Sequence, residues 1–349
     1  MELKKKHSRI LAIDGGGIRG IIPAVVLADL EKKLQSITKD HTVRLADYFD
    51  LIAGTSTGGI LSCCYLLEGE NQRPKYTAEE ILNLYFKHGE QIFNRSIFHK
   101  IRTAGGVLDE KYSDNGLRET LDKYMGNERL RNLLKPTLIT AYDIERRKAH
   151  FFTKHDAHKK GNNFFVKDVA WSTSAAPTYF ECAYIQDDLN RNYALIDGGV
   201  FANNPTLCAY AEARKIFKKF DTEKAVTASD MLILSIGTGS DEKRYPYNKA
   251  KDWGQLEWVK PLLDIMMSGV AETVDYQVRQ IYDAIERPNQ YLRINAPLSS
   301  NVNHNMDDAS RENMEGLRLE GEALVKQFDA ALQEFAVQLT ATKGCDLIA

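Results

Sequence analysis

Tyr48-Phe-Asp-Leu-Ile-Ala53, Gly54-Thr-Ser-Thr-Gly58 and Gly59-Ile-Leu-Ser-Cys-Cys-Tyr-Leu-Leu67 follow one another as a short apolar run, a glycine-bounded turn and an apolar helical stretch. A strand that passes through a tight turn into a helix is the repeating unit of a parallel sheet with helices on its faces. The same grammar occurs upstream, where Arg9-Ile-Leu-Ala-Ile13 runs into Asp14-Gly-Gly-Gly17 and a helical period from Ile21 to Leu34. Two such units within the first 70 or so residues predict a three-layer α/β/α fold with a mostly parallel central sheet.

Outward from there, Thr77 and Glu80 have the spacing of a capping box and predict a helix from Thr77 to Phe93. Asn94 to Asn115 has no clear period and reads as a long loop or lid. Strands are expected at Pro136 to Tyr142, His150 to Thr153, Tyr193 to Ile196 and Met231 to Ile236, with a helix near Val166 to Ser174. Asn204-Pro205 opens a helix to about Lys219, because proline suits a first helical turn. Helices near Leu262 to Ile285 and Glu312 to Leu339 close the chain. Without an internal repeat or a Pro/Gly/Ser linker, 1–349 reads as a single domain, its core over about 8–240 and a C-terminal helical part over about 255–340.

Composition narrows the function. The 349 residues are 43% hydrophobic and 27% charged, as in a globular protein. Lys plus Arg is 46 against 48 Asp plus Glu, a net charge of -2, which provides no field for nucleic acid phosphates. Five cysteines without ligand spacing fit a reduced, cytoplasmic setting. The apolar run behind Lys4, Lys5 and Lys6 stops at Asp14, too short for a signal peptide, and no run is long enough to span a bilayer. Any contact with a membrane is expected to be peripheral.

Ser56 sits at the centre of G-x-S-x-G between strand and helix, the context in which that pattern presents a nucleophile. The same five residues also suit a plain glycine-rich turn. Gly15, Gly16 and Gly17 offer backbone N–H groups to an oxyanion, or else form a phosphate loop, although G-x-x-x-x-G-K-[ST] is absent. Arg19 could support that loop, contact a lipid phosphate or be solvated. Asp197 follows a strand and precedes Gly198-Gly199, as a base at a sheet edge or as an ordinary Asp-Gly turn. His304 follows Asp197 in chain order and is the rival base of a Ser-His-Asp triad.

Together Asp14-Gly-Gly-Gly-Ile-Arg-Gly20, Gly54-Thr-Ser-Thr-Gly58 and Asp197-Gly-Gly199 resemble, in order, the motifs of the patatin family of lipid acyl hydrolases. The likeness extends to Arg44-Leu-Ala-Asp-Tyr-Phe-Asp50, Ser172-Thr-Ser-Ala-Ala-Pro177, Leu234-Ser-Ile-Gly-Thr-Gly239 and Met306-Asp-Asp-Ala-Ser310. The resemblance implies a patatin-like phospholipase domain in which Ser56 and Asp197 form a catalytic dyad and Gly15, Gly16 and Gly17 line the oxyanion hole. It implies phospholipid or other acyl-ester substrates, a peripheral membrane surface as partner, and neither cofactor nor metal. It also admits, as alternatives, a storage protein with incidental esterase activity, which the intact Ser56 and Asp197 make less favoured, or a ligand-activated phospholipase of bacterial defence. Ile92 to Val107, with Phe93, Ile97, Phe98 and Ile101 beside Arg95, Lys100 and Arg102, reads either as a membrane-facing lid or as a solvated loop.

Overall fold

The computed structural model describes residues 7–92, 98–102, 108–112, 115–219, 223–241, 244–342 and 344–347. In chain order its strands are β1 (Ser8–Ile13), β2 (Leu51–Thr55), β3 (Phe98–Arg102), β4 (Leu108–Tyr112), β5 (Thr137–Asp143) and β6 (Lys148–Thr153). They continue as β7 (Ala183–Gln186), β8 (Asn192–Asp197), β9 (Phe217–Lys218), β10 (Met231–Ile236), β11 (Tyr291–Ile294) and β12 (Asp346–Leu347). The helices are α1 (Ile21–Thr38), α2 (Leu45–Tyr48), α3 (Thr57–Leu66), α4 (Ala78–Ile92), α5 (Asn115–Met125) and α6 (Val166–Ser174). After them come α7 (Gly199–Ala202), α8 (Thr206–Ile216), α9 (Tyr247–Ala250), α10 (Gln255–Ala284), α11 (Arg311–Gln327) and α12 (Asp329–Ala341).

Strands β11, β10, β1, β2 and β5 lie side by side and all parallel. Strands β2 and β10 are almost unbroken apolar runs because both of their faces are covered. Side chains alternate across a strand, so Leu11, Ile13, Ile52, Leu234 and Ile236 enter one core with Val26, Leu61, Leu317 and Leu332 from α1, α3, α11 and α12. Ile10, Leu51, Ala53, Met231 and Ile233 enter the other, against Ala209, Ala213 and Ile216 of α8 and Val278 and Tyr282 of α10. Each fully buried aliphatic contributes about 1.5–3 kcal/mol, and two cores sharing one sheet give the three-layer α/β/α arrangement.

The Thr77–Glu80 box is formed, with Thr77 Oγ1 accepting the Glu80 N–H at 3.1 Å and Glu80 Oε2 accepting the Thr77 N–H at 2.8 Å. Other boundaries move. Tyr48 belongs to the short helix α2, where the N–H of the capping residue Arg44 donates to Asp47 Oδ2 at 2.8 Å, so the strand starts at Leu51. The expected long loop contains β3 and β4, paired antiparallel, and is followed by α5. Lys100 and Arg102 in one strand and the run Asp109-Glu-Lys111 in the other hide that hairpin from a hydrophobic count. The side chains assigned to a lid, Phe93, Arg95, Ile97, Phe98, Lys100, Ile101 and Arg102, lie outside the described residues. The last helix breaks at Phe328 into α11 and α12, and α10 begins at Gln255, running through Pro261. Strands β7 and β11 carried too few residues to show a period.

Candidate active site

Between β2 and α3 a single residue, Ser56, makes the turn with φ 54° and ψ -125°. A non-glycine residue in that sparsely populated region costs about 1–3 kcal/mol and persists only where its neighbours over-determine it. Here its N–H donates to Thr173 Oγ1 at 2.8 Å, while its carbonyl accepts from the Gly59 and Ile60 amides. A Cβ on Gly58 would stand 2.2 Å from the carbonyl oxygen of Ile13, so glycine alone lets the turn pass that close to the end of β1. The Ser56 side chain therefore emerges at the carboxyl edge of the sheet and at the start of α3.

Asp197 reaches the same point from the opposite direction. One edge of β5 is covered along its length by β6. The other edge is divided: β2 runs parallel to it and stops with Thr55 opposite Thr140, while β8 runs antiparallel and stops with Asp197 opposite Ala141. Two strands thus point at each other along one line, and the residues at their tips are neighbours. Helix α6 fastens both tips, since Thr173 takes the Ser56 amide and the Ala175 carbonyl takes the Asp197 amide at 3.0 Å.

Asp197 is 3% exposed. Burial pushes its carboxyl up from 3.8 to about 7, against the opposing pull of hydrogen bonding from the Ser56 hydroxyl and the Gly199 amide. The Gly199 N–H lies 2.7 Å from its Oδ1. A water-excluded carboxylate near neutrality beside a hydroxyl is suited to accepting that hydroxyl's proton.

The glycine turn lies beside Ser56, and it corrects one expectation. The Gly15 N–H donates to the Asn203 carbonyl at 3.1 Å, so this amide belongs to the scaffold rather than to an oxyanion site. Gly16 and Gly17 make no such amide bond among the described residues. Gly17 has φ 58°, and a Cβ there would meet the Met306 carbonyl at 2.2 Å. The turn is held by Thr238 Oγ1 donating to the Gly15 carbonyl and by the Ile18 N–H donating to Met306. Beneath it, Asp14 is clamped by Arg293, with Nη1 2.8 Å from Oδ1 and also 2.8 Å from Ser235 Oγ.

Ser56 and Asp197 open into a cavity of about 280 Å³ walled by apolar groups that include Ile60, Leu84, Leu121, Met125 and Phe180. Arg19 lies on its wall, 7% exposed, with its Nε unpaired; burial lowers its pKa while Asp241 and Asp264 raise it. His304 also reaches the cavity, yet its Nδ1 bonds Asp241 at 2.7 Å and its Nε2 bonds the Ser299 carbonyl at 2.9 Å. Both ring nitrogens are committed away from Ser56. Among the described residues no cluster of three or more His, Cys, Asp or Glu side chains is arranged to hold a metal ion.

Thr173, Thr238, Asn203 and Arg293 were not identified as site residues from sequence. Thr173 and Thr238 lie within Ser172–Pro177 and Leu234–Gly239, stretches marked by resemblance but given no role. Arg293 left one faint signal, a charge inside the apolar run Tyr291-Leu-Arg-Ile294.

A family model described as patatin-like phospholipase matches residues 11–210. Patatin-like protein 2 of Oryza sativa subsp. indica is 36% identical over 343 residues, covering 92% of this chain and 84% of that protein. Patatin group M-2 of Solanum tuberosum is 34% identical, covering 97% and 91%, and probable inactive patatin-3-Kuras 1 of the same plant is 34% identical, covering 96% and 93%. The solved structure of VipD from Legionella pneumophila aligns with 95% of this chain and 71% of its own, with a TM-score of 0.36 and 11% identity.

Proposed function

Because this chain belongs to the patatin-like phospholipase family, we propose that it is a serine lipid acyl hydrolase of the phospholipase A or lysophospholipase type, with Ser56 as nucleophile and Asp197 as base. The observation that carries this reading is the meeting of β2 and β8 tip to tip on β5, which sets the Ser56 hydroxyl against a buried carboxyl raised to about 7.

In the proposed reaction the Ser56 Oγ–H proton passes to Asp197 as Oγ bonds to the ester carbonyl carbon and the carbonyl electron pair moves onto oxygen. The Gly16 and Gly17 amides receive that oxyanion; a single donor of this kind is typically worth about 3–4 kcal/mol. Collapse breaks the carbon–oxygen bond of the ester, and the departing alkoxide takes the proton from Asp197 and leaves as an alcohol. Water, deprotonated by Asp197, then attacks the acyl group on Ser56, and the fatty acid departs as Ser56 recovers its proton. The apolar cavity accommodates the acyl chain, and the guanidinium of Arg19 on its wall suits a phosphate or ester oxygen.

Hydrolysis of a short-chain ester and of a phospholipid by wild type, Ser56→Ala and Asp197→Ala tests the proposal. Wild type is expected to turn over both, and each variant to lose at least about a thousandfold in kcat. Equal rates in the three proteins would overturn it.

A further inference from the structure

Helix α10 carries large apolar side chains on its solvent side as well as on its inner side over much of its length. Among the described residues the first buried one along it is Val278. Yet Trp258, Leu262, Ile265, Met266 and Tyr276 are 39%, 49%, 43%, 40% and 66% exposed. With Gly269 and Thr273 they follow helical spacing and form one stripe, on which no Asp, Glu, Lys or Arg occurs. An ordinary surface helix turns its apolar stripe to the core and its charges to water, so an exposed, uncharged stripe with several large apolar side chains marks a docking surface.

The opposite side of the same turns identifies what docks. Leu263, Asp264 and Met267 line the cavity that holds Ser56, so the outer stripe and the chamber are separated by the thickness of one helix. At the stripe's amino end Trp253 packs edge-on to Trp258 with centroids 5.0 Å apart, and Tyr245 packs on Trp253. Exposed Lys249 and Lys251 flank them, while Glu257 is turned back onto the Gly254 amide. An apolar stripe ending in an aromatic cluster with lysines at its rim has the chemistry of a helix lying in the interface of a lipid surface.

We propose that α10 from Trp258 to Tyr276, with its flanking aromatic cluster, is the surface by which the protein seats on a lipid aggregate, placing the mouth of the Ser56 cavity against its substrate. This rests on the lipid hydrolase reading for its purpose, but the seating itself does not require turnover.

The test is a Leu262→Gln/Ile265→Gln variant, chosen because both side chains are exposed and outside the cavity wall. Flotation is measured in a Ser56→Ala background, so that no lipid is consumed, with vesicles of phosphatidylcholine alone and mixed with phosphatidylglycerol. The unsubstituted helix is expected to float with the vesicles, more strongly when phosphatidylglycerol is present, and the double variant to bind about tenfold or more weakly. With Ser56 intact, the double variant should keep wild-type rates on a water-soluble short-chain ester and lose about tenfold on vesicles. Equal flotation of both proteins, or no flotation of either, would overturn the proposal. So would a dimer, seen by light scattering without lipid, that the double substitution dissolves, since a second copy would then be the occupant. Failure of Ser56→Ala to slow hydrolysis would instead sink the proposed chemistry and leave the flotation result standing.

Discussion

Arg293 on the last strand of the main sheet grips Asp14 at the end of the first, 279 residues away, and both side chains are buried. Asp14 raises the Arg293 guanidinium above its ordinary pKa despite burial, while burial pushes the Asp14 carboxyl up against the pull of Arg293, and the pair stands directly under the glycine turn. Removing one member of a buried ion pair leaves an uncompensated charge and typically costs about 3–5 kcal/mol. Arg293→Met is therefore expected to lower stability by about that amount in urea unfolding. Adding Asp14→Asn should restore part of the loss; no recovery in the double variant would mean that Arg293 acts through packing alone.

The pH dependence of turnover follows from Asp197. A base must be ionised to accept a proton, so kcat/KM should rise about tenfold per pH unit on the acid side and level off above an inflection near 7, where burial places this carboxyl. Initial rates on a water-soluble ester from pH 4 to about 9 check this. An inflection near 4 would show a solvated carboxylate and remove the physical basis for its role.

The same group makes a stability prediction of fixed sign. Its folded pKa, about 7, exceeds the ordinary 3.8, so the folded state holds the proton more tightly than the unfolded one. Its contribution is complete below 3.8 and is lost as pH rises to about 7, at about 1.4 kcal/mol per unit. Asp197→Asn does not titrate, so its stability relative to wild type should climb across that window and then stay flat. Parallel curves for the two proteins would contradict the buried assignment.

Ser56 is strained for the sake of its position. Ser56→Ala and Ser56→Gly both remove the hydroxyl, but only glycine accepts φ 54° and ψ -125° without a Cβ penalty. The glycine variant should be more stable than the alanine variant by about 1–3 kcal/mol in thermal unfolding, with both inactive. If alanine were as stable as glycine, the turn would carry no strain.

Thr173 is a positioning residue. Thr173→Val removes the acceptor of the buried Ser56 N–H, an unpaired group costing about 1–3 kcal/mol. kcat should fall with little change in KM, and Thr173→Ser should restore it. A variant that alters KM alone would place Thr173 in substrate binding instead.

Local physics made much of this molecule legible. An apolar run, a glycine turn and a helical period are properties of neighbouring residues, so β1, β2, α1 and α3 could be read from Arg9 to Leu67, and the capping box of α4 from two side chains three apart. The hairpin of β3 and β4, the single-turn α2 and the four-residue β11 escaped because their hydrophobic patterns are short or interrupted by charge. At the site, Ser56 and Asp197 were legible as turn residues, whereas the loss of the Gly15 amide to Asn203 was not, since nothing local links residues 188 positions apart.

By itself the sequence determined the layered α/β/α class, its parallel strands and the residue types that can do acyl chemistry, because periodicity and turn preference act within a few residues along the chain. Only the tertiary structure decided that β2 and β8 share one edge of β5, that Thr173 and Ala175 pin their tips, that Arg293 sits under Asp14 and that α10 turns its apolar stripe to solvent. Those are matters of register, burial and long-range charge pairing, which exist only once the chain has closed on itself.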